Sequence, residues 1–414
     1  MSCNWPLKRI SEVANFENSK RVPLKSLDRA KRQGEFPYYG ASGVVDYIDD
    51  FIFDGNYLLI SEDGENLRTR NTPIAFQATG KFWVNNHAHI FSEKEEGILD
   101  YLEYYFSILN IGAYITGAVQ PKLNKANLDK IEIPIPPLED RLKLNGILNS
   151  FRDKVRLNNR TNRTLEEMAQ AIFKSWFVDF DPVKAKMNGE LPDGMDAATA
   201  SLFPEKLVDS ELGLIPEGWE AKPLGDYLTI KRGGSPRPIK EFIVPDGYPW
   251  TKIADATAND NPYIFKTKEF IKEEGLKKTV YLKKGTLILS NSATPGLPRF
   301  LELDACIHDG WLHFPEKKHF TDSYLYQLFL HIRKHLVSQG NGSVFTNLKT
   351  DILRNQVVLV PPKELVDTYE KHAGKFLETV KAKSIESNQL AQLRDTLLPK
   401  LLSGEIDLEA ATEN

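Results

Sequence analysis

The sequence lacks most of the chemistry that would make it an enzyme or an exported protein. Its 414 residues include two cysteines, Cys3 and Cys306. That is too few for a disulfide framework, and no zinc-finger spacing of Cys and His accompanies them, so a reducing cytoplasm is the expected compartment. No apolar run reaches membrane-spanning length, and Met1-Ser2-Cys3-Asn4-Trp5 has no basic-then-apolar leader, which predicts a soluble chain with no membrane partner. There is no Gly-x-x-x-x-Gly-Lys-Ser/Thr loop to cradle nucleotide phosphates. Nor is there an Asn/Asp-Pro-Pro-Tyr/Phe motif of an adenine methyltransferase, the nearest string being Asp181-Pro182-Val183. Glu-x-Lys triplets such as Glu220-Ala221-Lys222 are expected by chance at this composition. No catalytic residue and no metal site is therefore assigned to this chain. A basic excess is missing too: the net charge is −4, whereas nucleic-acid-binding domains usually carry a positive one.

What is present is periodicity. Hydrophobic content of 41% and charged content of 27% are those of an ordinary globular protein, long enough for two or three domains with separate cores. Leu144, Leu148, Phe151, Val155, Asn158, Asn162, Leu165, Ala169, Ile172 and Trp176 advance by alternating fours and threes, the seam of a helix that pairs with another. Asn158 and Asn162 interrupt that seam at its middle. Adding 225 to each number gives Tyr369, Ala373, Phe376, Val380, Lys383, Ser387, Leu390, Arg394, Leu397 and Leu401, a second seam with the same phase and the same polar break. The offset extends upstream, where Ile133-Pro134-Ile135-Pro136-Pro137 matches Val358-Leu359-Val360-Pro361-Pro362. The chain is an internal repeat in which a β-rich module ends at Pro-Pro and hands over to a long helix.

The first module occupies residues 1–137. Its apolar runs Val44-Val45, Tyr57 to Ile60, Ile74 to Phe76 and His89 to Phe91 alternate with turn formers such as Asp54-Gly55-Asn56 and Asp63-Gly64-Glu65-Asn66. This predicts short strands, with one helix from Asp100 to Leu109. A spacer helix is expected over 138–177 and a surface connector over 178–218. A second module follows over 219–362, with a helix from Tyr324 to Ile332, and then a distal spacer helix and C-terminal segment over 363–408. The expected class is α+β: two β-rich domains separated by two long antiparallel coiled-coil helices, with a pseudo-twofold internal repeat. Each seam covers about 50 Å of helix. Antiparallel pairing about the middles sets Asn158 and Asn162 against Lys383 and Ser387, so the polar breaks share a layer that fixes register. It predicts Phe151 and Val155 beside Leu390 and Arg394, and Leu165 and Ala169 beside Phe376 and Val380. A parallel pair would place Phe151 beside Phe376. Two similar heads on a rod suit a ligand that repeats along one direction, duplex DNA above all, with half-sites about 34 to 36 Å apart. A coiled coil joining two domains of any function is the alternative.

The motifs, in order, carry a family resemblance. Pro37-Tyr38-Tyr39-Gly40-Ala41-Ser42-Gly43, Leu58-Leu59-Ile60-Ser61-Glu62-Asp63-Gly64 and Phe82-Trp83-Val84-Asn85-Asn86-His87-Ala88-His89 precede the first Pro-Pro junction. Leu212-Gly213-Leu214-Ile215-Pro216-Glu217-Gly218-Trp219 and Lys231-Arg232-Gly233-Gly234-Ser235-Pro236 open the second module, and Leu397-Leu398-Pro399-Lys400-Leu401-Leu402-Ser403-Gly404 closes the chain. Together they resemble the specificity subunit of type I restriction-modification enzymes. The resemblance implies two target-recognition domains, each reading one half of a bipartite site in double-stranded DNA, and paired helices that dock two methyltransferase subunits. Motor-nuclease subunits are an optional addition to that complex. It implies that S-adenosylmethionine, ATP and Mg belong to those partners and that this chain holds no cofactor. Two alternatives are the recognition subunit of a related system with a fused methylase-nuclease partner, and a scaffold or adaptor whose heads bind protein or carbohydrate.

Readout of base edges needs long polar side chains on loops, Arg or Lys for guanine and Asn or Gln for adenine. The candidates are Arg68, Arg70, Lys81, Gln120 and Lys122 in the first head, and Lys231, Arg232, Arg237, Asn291, Arg299 and Asn347 in the second. The basic run from Lys20 to Arg32 is either a solvated face or a further DNA contact. His87-Ala88-His89 offers half of a metal site with no third ligand nearby, so a structural or DNA-proximal role carries more weight. Gly233-Gly234 and Gly340-Asn341-Gly342 read as turn glycines.

Overall fold

A computed structural model describes residues 5–338 and 347–406. Cys3 and the loop Gly340-Asn341-Gly342-Ser343-Val344-Phe345 lie outside the described residues, and Cys306 is a buried free thiol. The chain forms two compact units, residues 1–156 with 387–414, and residues 157–386. Each unit is therefore a head together with half of each long helix.

In the first unit a six-stranded sheet runs in the order Ala14–Phe16, Ala88–Glu93, Phe53–Ser61, Ala75–Val84, Gln33–Gly40, Gly43–Ile48. All neighbours are antiparallel except Gln33–Gly40 on Ala75–Val84. The helix Ile98–Ile108 buries Ile98, Leu99, Leu102 and Phe106, the three-and-four spacing that predicts it. The strand of the Pro-Pro junction, Glu132–Pro134, pairs with Leu7–Arg9 and leads into the first long helix, Leu138–Lys174. That helix is tied to the head through polar groups. Asn145 Nδ2 donates to the Gly97 carbonyl at 2.7 Å, the Tyr104 hydroxyl donates to Asn149 Oδ1 at 2.7 Å, and Arg152 pairs with Asp100 at 3.1 Å. Leu144 and Leu148 share this core with Leu398, Leu401 and Leu402 from the end of the second long helix.

In the second unit two five-stranded sheets stand in place of the six-stranded one. One runs Leu228–Arg232, Trp311–Lys317, Leu287–Ser290, Pro298–Leu301, Tyr263–Ile264, and the other Ile243–Val244, Glu269–Ile271, Tyr248–Thr251, Ala305–Ile307, Val280–Leu282. Trp311 is fully buried and its indole N–H donates to the Thr251 carbonyl at 3.2 Å, joining the two sheets. The helix Asp322–Ser338 and the antiparallel pair Glu220–Pro223 with Val357–Val360 complete the head. The connector is more than a surface strap: it contains the helices Asp181–Met187 and Ala197–Ser201 and the hairpin Leu207–Ser210/Gly213–Pro216. Val183 and Phe203 from it enter the head's core, and Ile215 is buried. The first long helix ends in a π-turn, Ser175–Asp179, whose wider spacing buries the adjacent Trp176 and Phe177 together.

The second long helix is Lys363–Leu402. In the first unit the start of one helix shares a core with the end of the other, and in the second unit the Tyr369 hydroxyl donates to the Ala169 carbonyl at 3.1 Å, so the helices run antiparallel. Leu165, Ala169, Phe376 and Val380 meet in one core as the seam predicts. The polar layer exists, and Ser384 and Glu386 join it beside the main chain of Lys383. Asn162 Nδ2 donates to Ser384 Oγ at 3.0 Å, and Asn158 Nδ2 donates to Glu386 at 2.9 Å and to the Lys383 carbonyl at 3.4 Å. Ser384 is buried and the side chains of Lys383 and Ser387 are only half-buried. Likewise Leu377 and Leu398 are buried where the extrapolated seam named Phe376 and Leu397, which are half-buried, as are Phe151, Val155 and Leu390. The second helix packs on its own head as well as on its partner, and this widens and rotates its apolar stripe beyond a two-helix seam.

Candidate nucleic-acid interface

In the first head the strand Phe53–Ser61 ends against the loop between the helix Ile98–Ile108 and the Pro-Pro junction. Glu62 N–H donates to the His87 carbonyl and Leu123 N–H donates to the Glu62 carbonyl, both at 2.8 Å. The Glu62 carboxylate sits among Arg21 Nη1 at 2.7 Å, Lys122 Nζ at 3.4 Å and His89 Nδ1 at 3.7 Å. Burial would raise its pKa, but the Arg21 hydrogen bond and the cationic surroundings outweigh burial and hold the carboxyl below the ordinary glutamate range. Arg21 also donates to the Asn18, Ala88 and Asn86 carbonyls at 3.1, 2.8 and 3.3 Å, so it is the peg on which this end of the head hangs.

His89 is buried, and burial pushes its pKa below the ordinary histidine value. Its Nε2–H donates to the Leu123 carbonyl at 2.7 Å, which leaves Nδ1 to accept from Asn18 Nδ2 at 2.9 Å. Both ring nitrogens are therefore used within the fold. His87 is exposed and pairs through Nδ1 with Asp63 at 2.9 Å. The two imidazoles differ in environment, and among the described residues no cluster of ligands for a metal is formed.

The second head repeats the frame. Asn291 N–H donates to the Gly310 carbonyl at 2.8 Å and Leu348 N–H donates to the Asn291 carbonyl at 2.7 Å, so Asn291 stands where Glu62 stands and Leu348 where Leu123 does. Asp309 is the hub. It accepts from Ser235 Oγ at 2.7 Å and Arg237 Nη2 at 3.3 Å, and its carbonyl accepts from Arg232 Nε at 2.5 Å and Asn291 Nδ2 at 3.3 Å. Burial opposes its ionisation, yet the Ser235 hydrogen bond and the nearby positive charges keep its carboxyl below the usual range. Gly310 N–H donates to His308 Nδ1 at 2.7 Å, and burial lowers the pKa of that imidazole below the ordinary value.

Of the sequence candidates, Arg68, Gln120 and Lys122 meet at the loop of the first head, all exposed. Arg68 donates to the Gly117 and Ala118 carbonyls at 2.8 and 3.4 Å, bracing the loop. Arg70 is half-buried and caps the end of the helix Ile98–Ile108 by donating to the carbonyls of Phe106, at 2.9 Å, and Leu109, so its role is structural. Lys81 lies over the Phe51 ring and pairs in register with Asp54, about 20 Å along the strand from Ser61. In the second head Lys231, Arg232 and Arg237 are exposed, the two arginines bonded to Asp309, and exposed Asn347 adjoins Leu348. Asn291 is buried, its amide committed to Asp309. Arg299 is also removed from the surface: it lies on the fully buried strand Pro298–Leu301 and donates to the Ala256 carbonyl at 3.2 Å. The basic run is mostly spent internally, with Lys20 on Glu17, Arg21 on Glu62, Arg29 on Asp46 and Arg32 on Asp49 and Asp50. Arg21 falls within the basic run, but its part as a hub, like those of Glu62 and Asp309, is not visible in the sequence, because acids are not among the base-edge readers and a pairing between residues as distant as Arg21 and Glu62 leaves no local pattern.

Histidines set a pH dependence. The buried His89 and His313 and the half-buried His308 have pKa values lowered by desolvation. In the unfolded chain they titrate near 6.5. As pH falls through about 6.5 the unfolded chain binds protons that the folded chain refuses, so stability is full above that pH and is lost below it. The melting midpoint is expected to fall between pH 7.5 and 5.5, before ordinary carboxylates titrate. Burial pushes the Glu166 carboxyl up to about 7, so it takes up a proton in the folded chain over the same window and acts in the opposite sense; the histidine effect is therefore read in Glu166→Gln, where a midpoint that is flat or rises in calorimetry would contradict neutral histidines.

The family model described as type I restriction modification DNA specificity domain matches residues 3–167 and again 216–395. The chain belongs to that family, and the two matches fall on the two copies of the repeat. It is 24% identical over 436 aligned positions to the type I restriction enzyme MjaIX specificity subunit of Methanocaldococcus jannaschii, covering 98% of this chain and 94% of the relative. It is 28% identical over 340 positions to the HindI specificity subunit of Haemophilus influenzae, covering 69% and 71%. The crystal structure of a type I restriction-modification S subunit from M. genitalium superposes with a TM-score of 0.57 at 15% identity, over 96% of both chains, which bears on the fold alone. No described helix is long and apolar enough to cross a membrane.

Proposed function

We propose that this chain is the DNA-specificity subunit of a type I restriction-modification complex. Each head reads one half of a bipartite site in double-stranded DNA, and the paired helices set the gap between the halves and carry methyltransferase subunits. The chain itself is not catalytic: methyl transfer, and cleavage where motor-nuclease subunits join, belong to partners, together with S-adenosylmethionine, ATP and Mg. The observation that carries this reading is the doubled frame. The same pair of main-chain hydrogen bonds, through Glu62 in one head and Asn291 in the other, presents different side chains in the two copies, as two independent readers of unlike half-sites require.

The test is an exchange. Replacing residues 1–137 by the corresponding head of a relative, in complex with the methyltransferase subunits, should change one half of the motif selected from a random DNA library and leave the other unchanged. A swap that alters both halves, or a complex that selects no sequence, would sink the proposal.

A further inference from the structure

Val119 is 97% exposed, more than any other large apolar side chain of the described chain. It sits at the tip of a loop that is held firmly at its base. Thr116 and Lys122 exchange main-chain hydrogen bonds at 2.9 and 2.7 Å, and Gly64 N–H donates to the Pro121 carbonyl at 3.1 Å. Gly117 has φ +86°, and a Cβ there would meet the Gln120 carbonyl oxygen at 2.2 Å, so only glycine closes this turn. Arg68 grips the Gly117 and Ala118 carbonyls from the side. A stem fixed on three sides thus presents a bare apolar tip, with the exposed amide of Gln120 beside it and the cations Arg68 and Lys122 at its flanks.

We infer that this tip is the major-groove reader of the first head and that it recognises an A·T pair, Val119 lying on the thymine 5-methyl group and Gln120 on the adenine edge. The major groove is about 12 Å wide and admits elements as broad as a helix or a two-stranded ribbon, so it has room for the tip of a loop. Thymine methyl is the one apolar group that base pairs display there, and a primary amide matches the donor–acceptor pattern of adenine N6 and N7. The flanking cations face the phosphates on either side. In this arrangement Arg68 is a positioning residue that touches the loop rather than a base.

The inference rests on the reading of the heads as DNA readers, and a test can separate the two. The full chain with its methyltransferase subunits is bound to its selected site, and each thymine of the half read by the first head is replaced in turn by deoxyuridine, which lacks only the methyl group. At one position the wild type should lose about fourfold in affinity, the worth of one buried methyl. Val119→Ala should bind the thymine site more weakly by a similar factor and be indifferent to that same substitution. Gln120→Ala should relax discrimination at that base pair about tenfold or more, with the other half-site unaffected. Since both side chains are exposed, the melting midpoint should not move. A half-site without an A·T pair, or a uracil scan in which Val119→Ala responds as the wild type does, overturns the inference while leaving the DNA-reading role standing. Failure to select any sequence would remove both.

Discussion

An Arg21→Ala chain should lose recognition of one half-site while retaining the other, and its first unit should be destabilised by about 2 to 4 kcal/mol. The guanidinium is the closest partner of the Glu62 carboxylate and closes three main-chain carbonyls besides. Both members of the pair are largely buried, so removing one leaves a charge that the fold then struggles to accommodate. With Arg21 gone, burial dominates at Glu62 and its pKa rises, the Lys122 contact weakens, and the loop bearing Gln120 loses part of its seat. Arg21→Lys should recover little, because an ammonium cannot span a carboxylate and several carbonyls as a planar fork does. Selection of binding sites from a DNA library randomised in one half at a time reads the effect. Equal loss in both halves, or none in either, would show that the Arg21 peg does not serve the first reader.

Ser384→Ala should cost about 2 to 5 kcal/mol, although it removes a single oxygen. That oxygen accepts from Asn162 on the first long helix at 3.0 Å and from Asn261 of the second head at 2.8 Å, while its own proton goes to the Val380 carbonyl at 2.7 Å. Alanine takes this acceptor from two amides, the buried one of Asn162 and the half-buried one of Asn261, and each such loss costs about 1 to 3 kcal/mol. Thr379→Ala, an exposed hydroxyl bonded only to its own helix at Lys375, should change stability by no more than about 0.5 kcal/mol. Four of the six tryptophans, Trp176, Trp219, Trp250 and Trp311, lie in residues 157–386, so denaturation followed by tryptophan fluorescence reports on this unit. Similar costs for the two variants would mean that the layer is wet or its register loose.

The repeat and the helices were legible in the sequence because a seam of threes and fours, broken twice at one offset, rarely arises except from a duplicated pairing helix. The strands around Tyr57 to Ile60 and His89 to Phe91 were legible for a similar reason, apolar runs bounded by turn formers. Ser384 was not, since copying the phase of the first seam assumes that both helices bury the same stripe, and the second also lies on a head. The connector's hairpin and helices escaped because their buried residues, Val183, Phe203 and Ile215, are too widely spaced to show a period. Residue type alone singled out Gln120, Lys122, Arg232 and Arg237, which the fold gathers into two loop clusters. It could not separate these from Arg70 and Arg299, whose carbonyl partners come largely from distant parts of the chain.

The division of the helices has a consequence for how the protein is made. Residues 157–386 are continuous in the chain, whereas the first unit needs Leu398, Leu401 and Leu402 to cover Leu144 and Leu148. At about 5 to 20 residues per second, every residue of the second unit has been polymerised before those three leucines are added. The head that begins the sequence is thus the last to be completed. Until then the core around Leu144 and Leu148 lacks the three leucines of the other helix, and a chain ending near residue 390 would contain all of the second unit and only part of the first.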